Sequence, residues 1–230
     1  MNPAHPLTYP VGVTIGALAV CAVWAPFATS SQLAALAALV AVMLGYTAFQ
    51  VGLARGVVGA GVPGPGTAAV RRVRQEHRLL SRSWLELSGF AAGPDCAQSS
   101  TGAGDSWWVP VFFDPALLRL TEARAELGER EIRIGGARLA PSGRARGSEP
   151  PGRLIDNPSR PDPEFATLAA TSARVSRRLL LDAQPAVAAP FVALLWVYLD
   201  GGGLPAFLGA CCVAFAAAVW LSAVRGSDPS

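Results

Sequence analysis

Residues 70–82 read Val-Arg-Arg-Val-Arg-Gln-Glu-His-Arg-Leu-Leu-Ser-Arg, and the rest of the chain is arranged around them. Val70, Val73, Leu80 and Trp84 fall at helical spacing, with Arg74, Arg78 and Arg82 lining another face. Thr67 can cap such a helix, which the spacing predicts to run to about Ser83. His77 falls on or beside the apolar stripe, where packing is the simpler role. The predicted product is a basic juxtamembrane helix whose exposed Arg row is a contact surface.

The juxtamembrane reading comes from what lies on either side. The chain has 230 residues, of which 51% are apolar and 15% charged, and almost all the charge lies within residues 55–182. A mean hydropathy of +0.36 is too apolar for an ordinary soluble domain. Apolar runs cover residues 7–28 and 33–53, each long enough to span a hydrocarbon core of about 30 Å as a helix. Only Thr29-Ser-Ser-Gln separates them, so they form a hairpin. The first run has no basic residue before it other than His5 and is long for a cleaved signal sequence, which favours a retained helix. A third run, residues 186–199, carries Pro190 and reaches spanning length only with Pro185 and Gly201–Gly203. A pair of re-entrant half-helices over 185–204 is the competing reading, and an uncommon one. The fourth run, 204–224, follows Asp200-Gly-Gly-Gly.

Arginine placement sets the topology. Arg55, Arg71, Arg72, Arg74 and Arg78 follow the second run, Arg174, Arg177 and Arg178 precede the third, and Arg225 follows the fourth. The two short loops carry no basic residue, so both termini and the middle segment are expected in the cytosol of an inner-membrane, multi-pass protein. Gly12 and Gly16, and Ala41 and Gly45, are spaced four apart, as helix-packing faces in lipid often are. No Asp, Glu, His or Arg interrupts the apolar runs, which argues against a stand-alone ion-coupled transporter.

The expected divisions are therefore a transmembrane hairpin at 7–55, a Gly/Pro hinge at 56–66, a cytosolic domain at 67–182 and a second hairpin at 185–225. Within the middle domain, residues 84–90 and 106–113 read as strands, separated by a polar Gly-rich loop at 91–105. Pro110 in the second strand points to an edge or a bulge. Asp114-Pro115 starts one helical turn over 115–119. Period-two alternation then predicts a hairpin, 121–127 with 130–134, turning at Gly128-Glu129, and a short strand at 137–140. Trp107, Phe112, Ile132, Ile134 and Leu139 would fill a small barrel or curled sheet. Residues 141–161 are Pro-, Gly- and Arg-rich without periodicity, either a solvated loop or a strap. Asp162-Pro163-Glu164 opens a helix expected to run to about Leu181. The fold class is an α+β membrane protein: four transmembrane helices in two hairpins, with an inserted β-barrel-like domain flanked by amphipathic helices.

Catalytic chemistry is poorly supplied. There are 2 histidines and 4 cysteines, no C-x-x-C, no G-x-S-x-G elbow and no Walker or H-E-x-x-H motif. Gly59-Ala-Gly-Val-Pro-Gly matches G-x-G-x-x-G, but it follows an apolar helix rather than a strand, and Pro63 removes an amide a phosphate would need. No enzyme activity, cofactor or metal is expected. All 19 basic residues are Arg, which suits bidentate phosphate contacts but also follows from GC-rich coding. A net charge of +3 gives no reason to expect nucleic acid. The contact candidates for anionic lipid or a partner are Arg71, Arg72, Arg74, Arg78, Arg82, Arg174, Arg177 and Arg178.

Four stretches carry a family resemblance: Trp108-Val-Pro-Val-Phe-Phe-Asp-Pro-Ala-Leu-Leu, Pro141-Ser-Gly-Arg, Glu149-Pro-Pro-Gly-Arg-Leu-Ile-Asp-Asn-Pro and Arg178-Leu-Leu-Leu-Asp-Ala-Gln. With the two-helix, domain, two-helix layout, the chain resembles small actinobacterial membrane proteins, the lipid-uptake-coordinator B accessory subunits of MCE (mammalian cell entry) type lipid transporters. The resemblance covers nearly the whole chain. It implies a non-catalytic subunit beside permease and transporter proteins, and it transfers no defined site residues. The alternative expectation is a cytosolic-face sensor that reads anionic lipid or a phosphorylated ligand through its Arg-rich segments.

Overall fold

Residues 70–77 and 80–82 are not helical. In the computed structural model they belong to two long antiparallel strands, β1 (Gly66–His77) and β2 (Leu80–Ala92). The structure describes residues 5–62, 64–77, 80–92, 106–120, 122–128, 131–135, 137–157 and 164–230. Arg78, Pro63, most of the 91–105 loop, Glu129 and the Asp162-Pro163 helix start therefore lie outside the described residues, as does the His77 side chain.

The physical reason for the correction is visible in the register. Val70 faces Leu87, Arg72 faces Leu85 and Arg74 faces Ser83 across the ladder. Alternate residues of a strand share a face, so Ala68, Val70, Arg72 and Arg74 point the same way. Ala68 and Val70 join the core, and Arg72, only 2% exposed, follows them inward. A charged residue at an inward position breaks the apolar alternation and leaves a spurious helical spacing behind. The other face of β1 carries Val73, which packs with Trp84, Trp108 and Leu154.

Five further strands complete the sheet: β3 (Trp107–Val111), β4 (Glu122–Leu127), β5 (Ile132–Ile134), β6 (Ala137–Leu139) and β7 (Arg153–Asp156). The order is β3-β2-β1-β4-β5-β6, and β7 pairs with β1 beyond the reach of β4. The sheet curls into a half-barrel. Its two ends are tied where Phe112 N–H donates to Ala140 O at 2.9 Å and Ser142 N–H to Pro110 O at 2.8 Å. Trp107, Ile132, Ile134 and Leu139 pack in this core with Leu85, Leu87, Val109 and Val111. Phe112 is buried but lies outside that cluster. The predicted turn at 115–119 is a 3-10 turn, Pro115–Arg119, capped by Asp114, whose Oδ1 accepts from Ala116 N–H at 2.8 Å.

Residues 141–157 form a strap rather than a free loop. Trp108 and Arg146 exchange backbone hydrogen bonds at 2.8 and 2.9 Å, Ala145 N–H reaches Ala60 O at 2.7 Å, and β7 adds to the sheet. Gly143 crosses the Pro110 ring so closely that a Cβ there would lie 2.9 Å from Pro110 Cγ.

The single helix expected from 162 to 181 is instead two, α3 (Phe165–Ser172) and α4 (Val175–Asp182). The amphipathic helix expected to begin at Thr67 is instead part of the half-barrel itself, in β1.

The long helices are α1 (Thr8–Trp24), α2 (Ser30–Ala54), α5 (Ala189–Asp200) and α6 (Gly203–Val224). α5 alone would rise about 18 Å, short of a bilayer core of about 30 Å. It reaches spanning length by continuing backward through a 3-10 turn into α4, giving a helical stretch Val175–Asp200 of 26 residues. Four helical segments are thus long and apolar enough to cross a membrane.

The chain folds as two compact units. One holds the helices, through Phe49 and from Leu179 to Val224; the other holds the half-barrel, Gln50–Arg178, together with Arg225–Ser230. In the helical unit α6 packs on α1 and α5, and its Trp220 joins Ala17 and Met43 in the core. Trp220 Nε1 donates to Thr47 Oγ1 at 3.0 Å, which satisfies an indole N–H in an apolar interior.

Candidate functional site

Four of the predicted contact arginines, Arg72, Arg74, Arg82 and Arg177, converge on a segment that no motif or spacing singled out, residues 225–230, Arg-Gly-Ser-Asp-Pro-Ser. This tail turns at Gly226, whose φ of +79° favours glycine. A Cβ there would also meet Ser142 Cβ and Oγ, both at 2.7 Å. The tail then adds to the edge of β2 past the end of β3: Ser227 bridges Arg82, and Asp228 N–H donates to Ser81 O at 2.9 Å. This edge addition aims the Asp228 side chain at Arg72.

Arg72 and Asp228 form an ion pair at 2.5 Å with side-chain exposures of 2% and 0%. Every arm of the guanidinium is engaged. Nε donates to Ser83 Oγ at 3.3 Å, Nη1 to Asn157 Oδ1 at 2.7 Å, and Nη2 to both Asp228 Oδ2 and Ser230 Oγ. The carboxylate is equally occupied: Oδ2 also accepts from Ser83 Oγ at 2.6 Å, and Oδ1 from Ser230 N–H at 3.0 Å and Ser230 Oγ at 2.7 Å. Burial pushes the Asp228 carboxyl up, but Arg72 and these donors outweigh it and hold it below the usual carboxylate range. A buried pair is tolerable only when its remaining lone pairs and protons are satisfied, and here they are.

Three more arginines hold the tail backbone. Arg74 Nη1 donates to Ser230 O, and its Nη2 pairs with Glu76 at 2.5 Å. Arg82 donates to Arg225 O through Nε at 3.0 Å and Nη2 at 2.5 Å, and Arg177 Nε donates to Pro229 O at 3.1 Å. Asn157 braces the socket from the strap: its Nδ2 donates to the carbonyls of Leu117 and Leu120 at 2.9 and 2.6 Å.

The remaining candidates lie elsewhere. Arg71 pairs with Glu86, its direct cross-strand neighbour, at 2.6 Å and with Asp156 at 2.9 Å, on the opposite face from Arg72. Arg82 faces Gln75 in the register and Arg74 faces Ser83, so these two arginines leave the hairpin on opposite faces and form no row. Arg174 is exposed, whereas Arg178 is 7% exposed with its guanidinium 5.8 Å from the Phe113 ring centroid.

In the helical unit, Gly12, Gly16, Ala41 and Gly45 are all exposed, and nothing lies within 4 Å of a Cβ added at any of the three glycines. The close helix contact is at Gly209 instead, where an added Cβ would lie 1.8 Å from Trp24 Cε2. Asp182 is fully buried in this unit and accepts from Tyr9 OH at 2.5 Å and Ser222 Oγ at 2.7 Å. Among the described residues no group of three or more His, Cys, Asp or Glu could hold a metal ion.

Asp228, Ser83, Asn157 and Ser230 were not singled out by pattern, since no local signal links residues so far apart. The one usable clue was an inward-phase arginine, Arg72, which needs a counterion somewhere. No protein-family model, curated protein or solved structure matches the chain, so the residues themselves carry the functional argument.

Proposed function

We propose that the chain is a non-catalytic accessory or scaffolding subunit of an inner-membrane complex, of the kind that serves an MCE-type lipid transporter. The observation that carries this reading is the outward placement of the small-residue faces of α1 and α2. Gly12 and Gly16 sit beside exposed Val11 and Ile15, and Ala41 and Gly45 beside exposed Val42 and Leu44. In lipid, small residues at four-residue spacing let another helix approach closely. α1 packs on α6 through other positions, Ala17 meeting the Trp220 cluster, so these faces remain available to a partner such as a permease. Co-purification in mild detergent tests the reading. A stable companion is expected, and it should be lost in Gly16→Leu while the protein stays folded; a chain that elutes alone counts against it.

A second reading, a sensor of anionic lipid or a phosphorylated ligand, is favoured by the convergence of Arg72, Arg74, Arg82 and Arg177 on one tail. Replacing Arg71, Arg72, Arg74 and Arg78 by Gln separates the two: loss of liposome binding with the companion retained favours the sensor, and the reverse favours the subunit.

A further inference from the structure

The tail presents three oxygens to one cluster of donors. Asp228 Oδ2 and Ser230 Oγ meet Arg72 Nη2, Asp228 Oδ2 also meets Ser83 Oγ, and Ser230 O meets Arg74 Nη1. Two guanidinium groups and a hydroxyl gathered around three oxygens is the donor arrangement that a phosphate monoester accepts, with its three terminal oxygens. The fit of the tail is incomplete: the buried Arg74 Nε has no acceptor among the described residues, nor does the buried Ser142 Oγ beside Gly226.

We propose that the Arg72–Ser83–Arg74 socket is a phosphoryl-binding site, occupied in this structure by the chain's own tail as an internal mimic. The tail is a suitable competitor because polar bonds hold it and Gly226 gives it a hinge. A phosphate group that displaces Asp228 keeps the Arg72 charge compensated, brings a second negative charge and supplies an acceptor for Arg74 Nε. The phosphoryl group can come from a soluble phosphate monoester or from a lipid head group, which share this chemistry. The inference deepens the sensor reading and is independent of the subunit reading.

Titration calorimetry of inorganic phosphate into the detergent-purified full chain, at constant ionic strength, provides the test. A competitor that fills the site lowers apparent affinity by the fraction of open sites, so Asp228→Asn and Asp228→Ala should bind roughly tenfold or more tightly than the natural chain. Adding Arg72→Gln to Asp228→Ala should abolish binding. Equal affinity in the natural chain and both variants, or binding that survives Arg72→Gln, overturns the proposal. A second measurement needs no substitution. Trypsin cuts after Arg225, whose carbonyl Arg82 holds in the docked tail, so phosphate should accelerate that cut and chloride should not. In nanodiscs, acceleration only when phosphatidate is added to phosphatidylcholine assigns the group to a lipid, and acceleration by inorganic phosphate in neutral discs assigns it to a soluble monoester. No acceleration in either overturns displacement. Liposome binding that persists in Arg72→Gln would sink the socket yet leave the sensor reading standing through exposed Arg174.

Discussion

Arg72 and Asp228 are 156 residues apart in sequence and 2.5 Å apart in the fold, and neither is more than 2% exposed at its side chain. The pair joins the first strand of the half-barrel to a tail that follows the last helix. It follows that single and double substitutions should differ sharply. Removing one partner of a buried pair costs about 3–5 kcal/mol, whereas replacing both by apolar residues of similar volume is often neutral. Arg72→Met alone should therefore lower the unfolding midpoint strongly, and Arg72→Met with Asp228→Leu should recover most of the loss. Arg71→Gln, which breaks only exposed and half-exposed pairs, should change stability by about 1 kcal/mol or less.

The pH dependence has a definite sign. The Asp228 carboxyl is held below its ordinary value, so its contribution is present above the unfolded-state pKa of about 3.9 and is lost as pH falls through the lower folded value. The tail should stay docked from neutral pH to below about pH 4. A carbon-13 NMR titration of the Asp228 carboxyl should show a midpoint below that of an unstructured peptide. In Arg72→Gln, with burial no longer opposed by the guanidinium, the midpoint should move upward.

What the sequence disclosed, and what it hid, divides along physical lines. Long apolar runs are local, and all four segments appear where hydropathy placed them, the third extended backward through Pro185 because a helix continues there. The period-two alternation of Glu122, Arg124 and Glu126 against Ala125 and Leu127 is also local, and it yielded the β4–β5 hairpin. β1 failed because its phase is interrupted by Arg72, whose inward position makes sense only with a counterion from the tail. The strap is in the same class: Pro- and Gly-rich residues show no period, yet their backbone is fixed by β3 and β1. A socket assembled from β1, β2, the strap and the tail leaves no trace in any short window.

Close packing in the helical unit makes a different forecast. An added Cβ at Gly209 would sit 1.8 Å from the Trp24 ring, so even Gly209→Ala overpacks α1 against α6. Overpacking typically costs about 1–3 kcal/mol. The midpoint should fall in Gly209→Ala and partly recover when Trp24→Ala is added. Gly12→Ala and Gly45→Ala should leave the isolated protein unchanged, since nothing lies within 4 Å of either added group.

Asp182 should prove structural. Asp182→Leu would take the carboxylate away from the buried Tyr9 and Ser222 hydroxyls that donate to it. A hydrogen bond to a charged group contributes about 1.5–3 kcal/mol, so the substitution should reduce the yield of folded protein in detergent. Adding Tyr9→Phe and Ser222→Ala should restore part of it, and no recovery in size-exclusion profiles would refute this assignment.

The distance between Arg72 and its counterion also sets an order of events in synthesis. Chains grow at about 5–20 residues per second, so the β1–β2 hairpin emerges on the order of ten seconds before Asp228 does. Throughout that interval the inward guanidinium must keep its water or borrow another anion. The hairpin can form early, because its pairing is local, but its open end cannot be sealed until two more apolar helices have been made. The nascent domain therefore carries a cation whose own counterion has yet to be made.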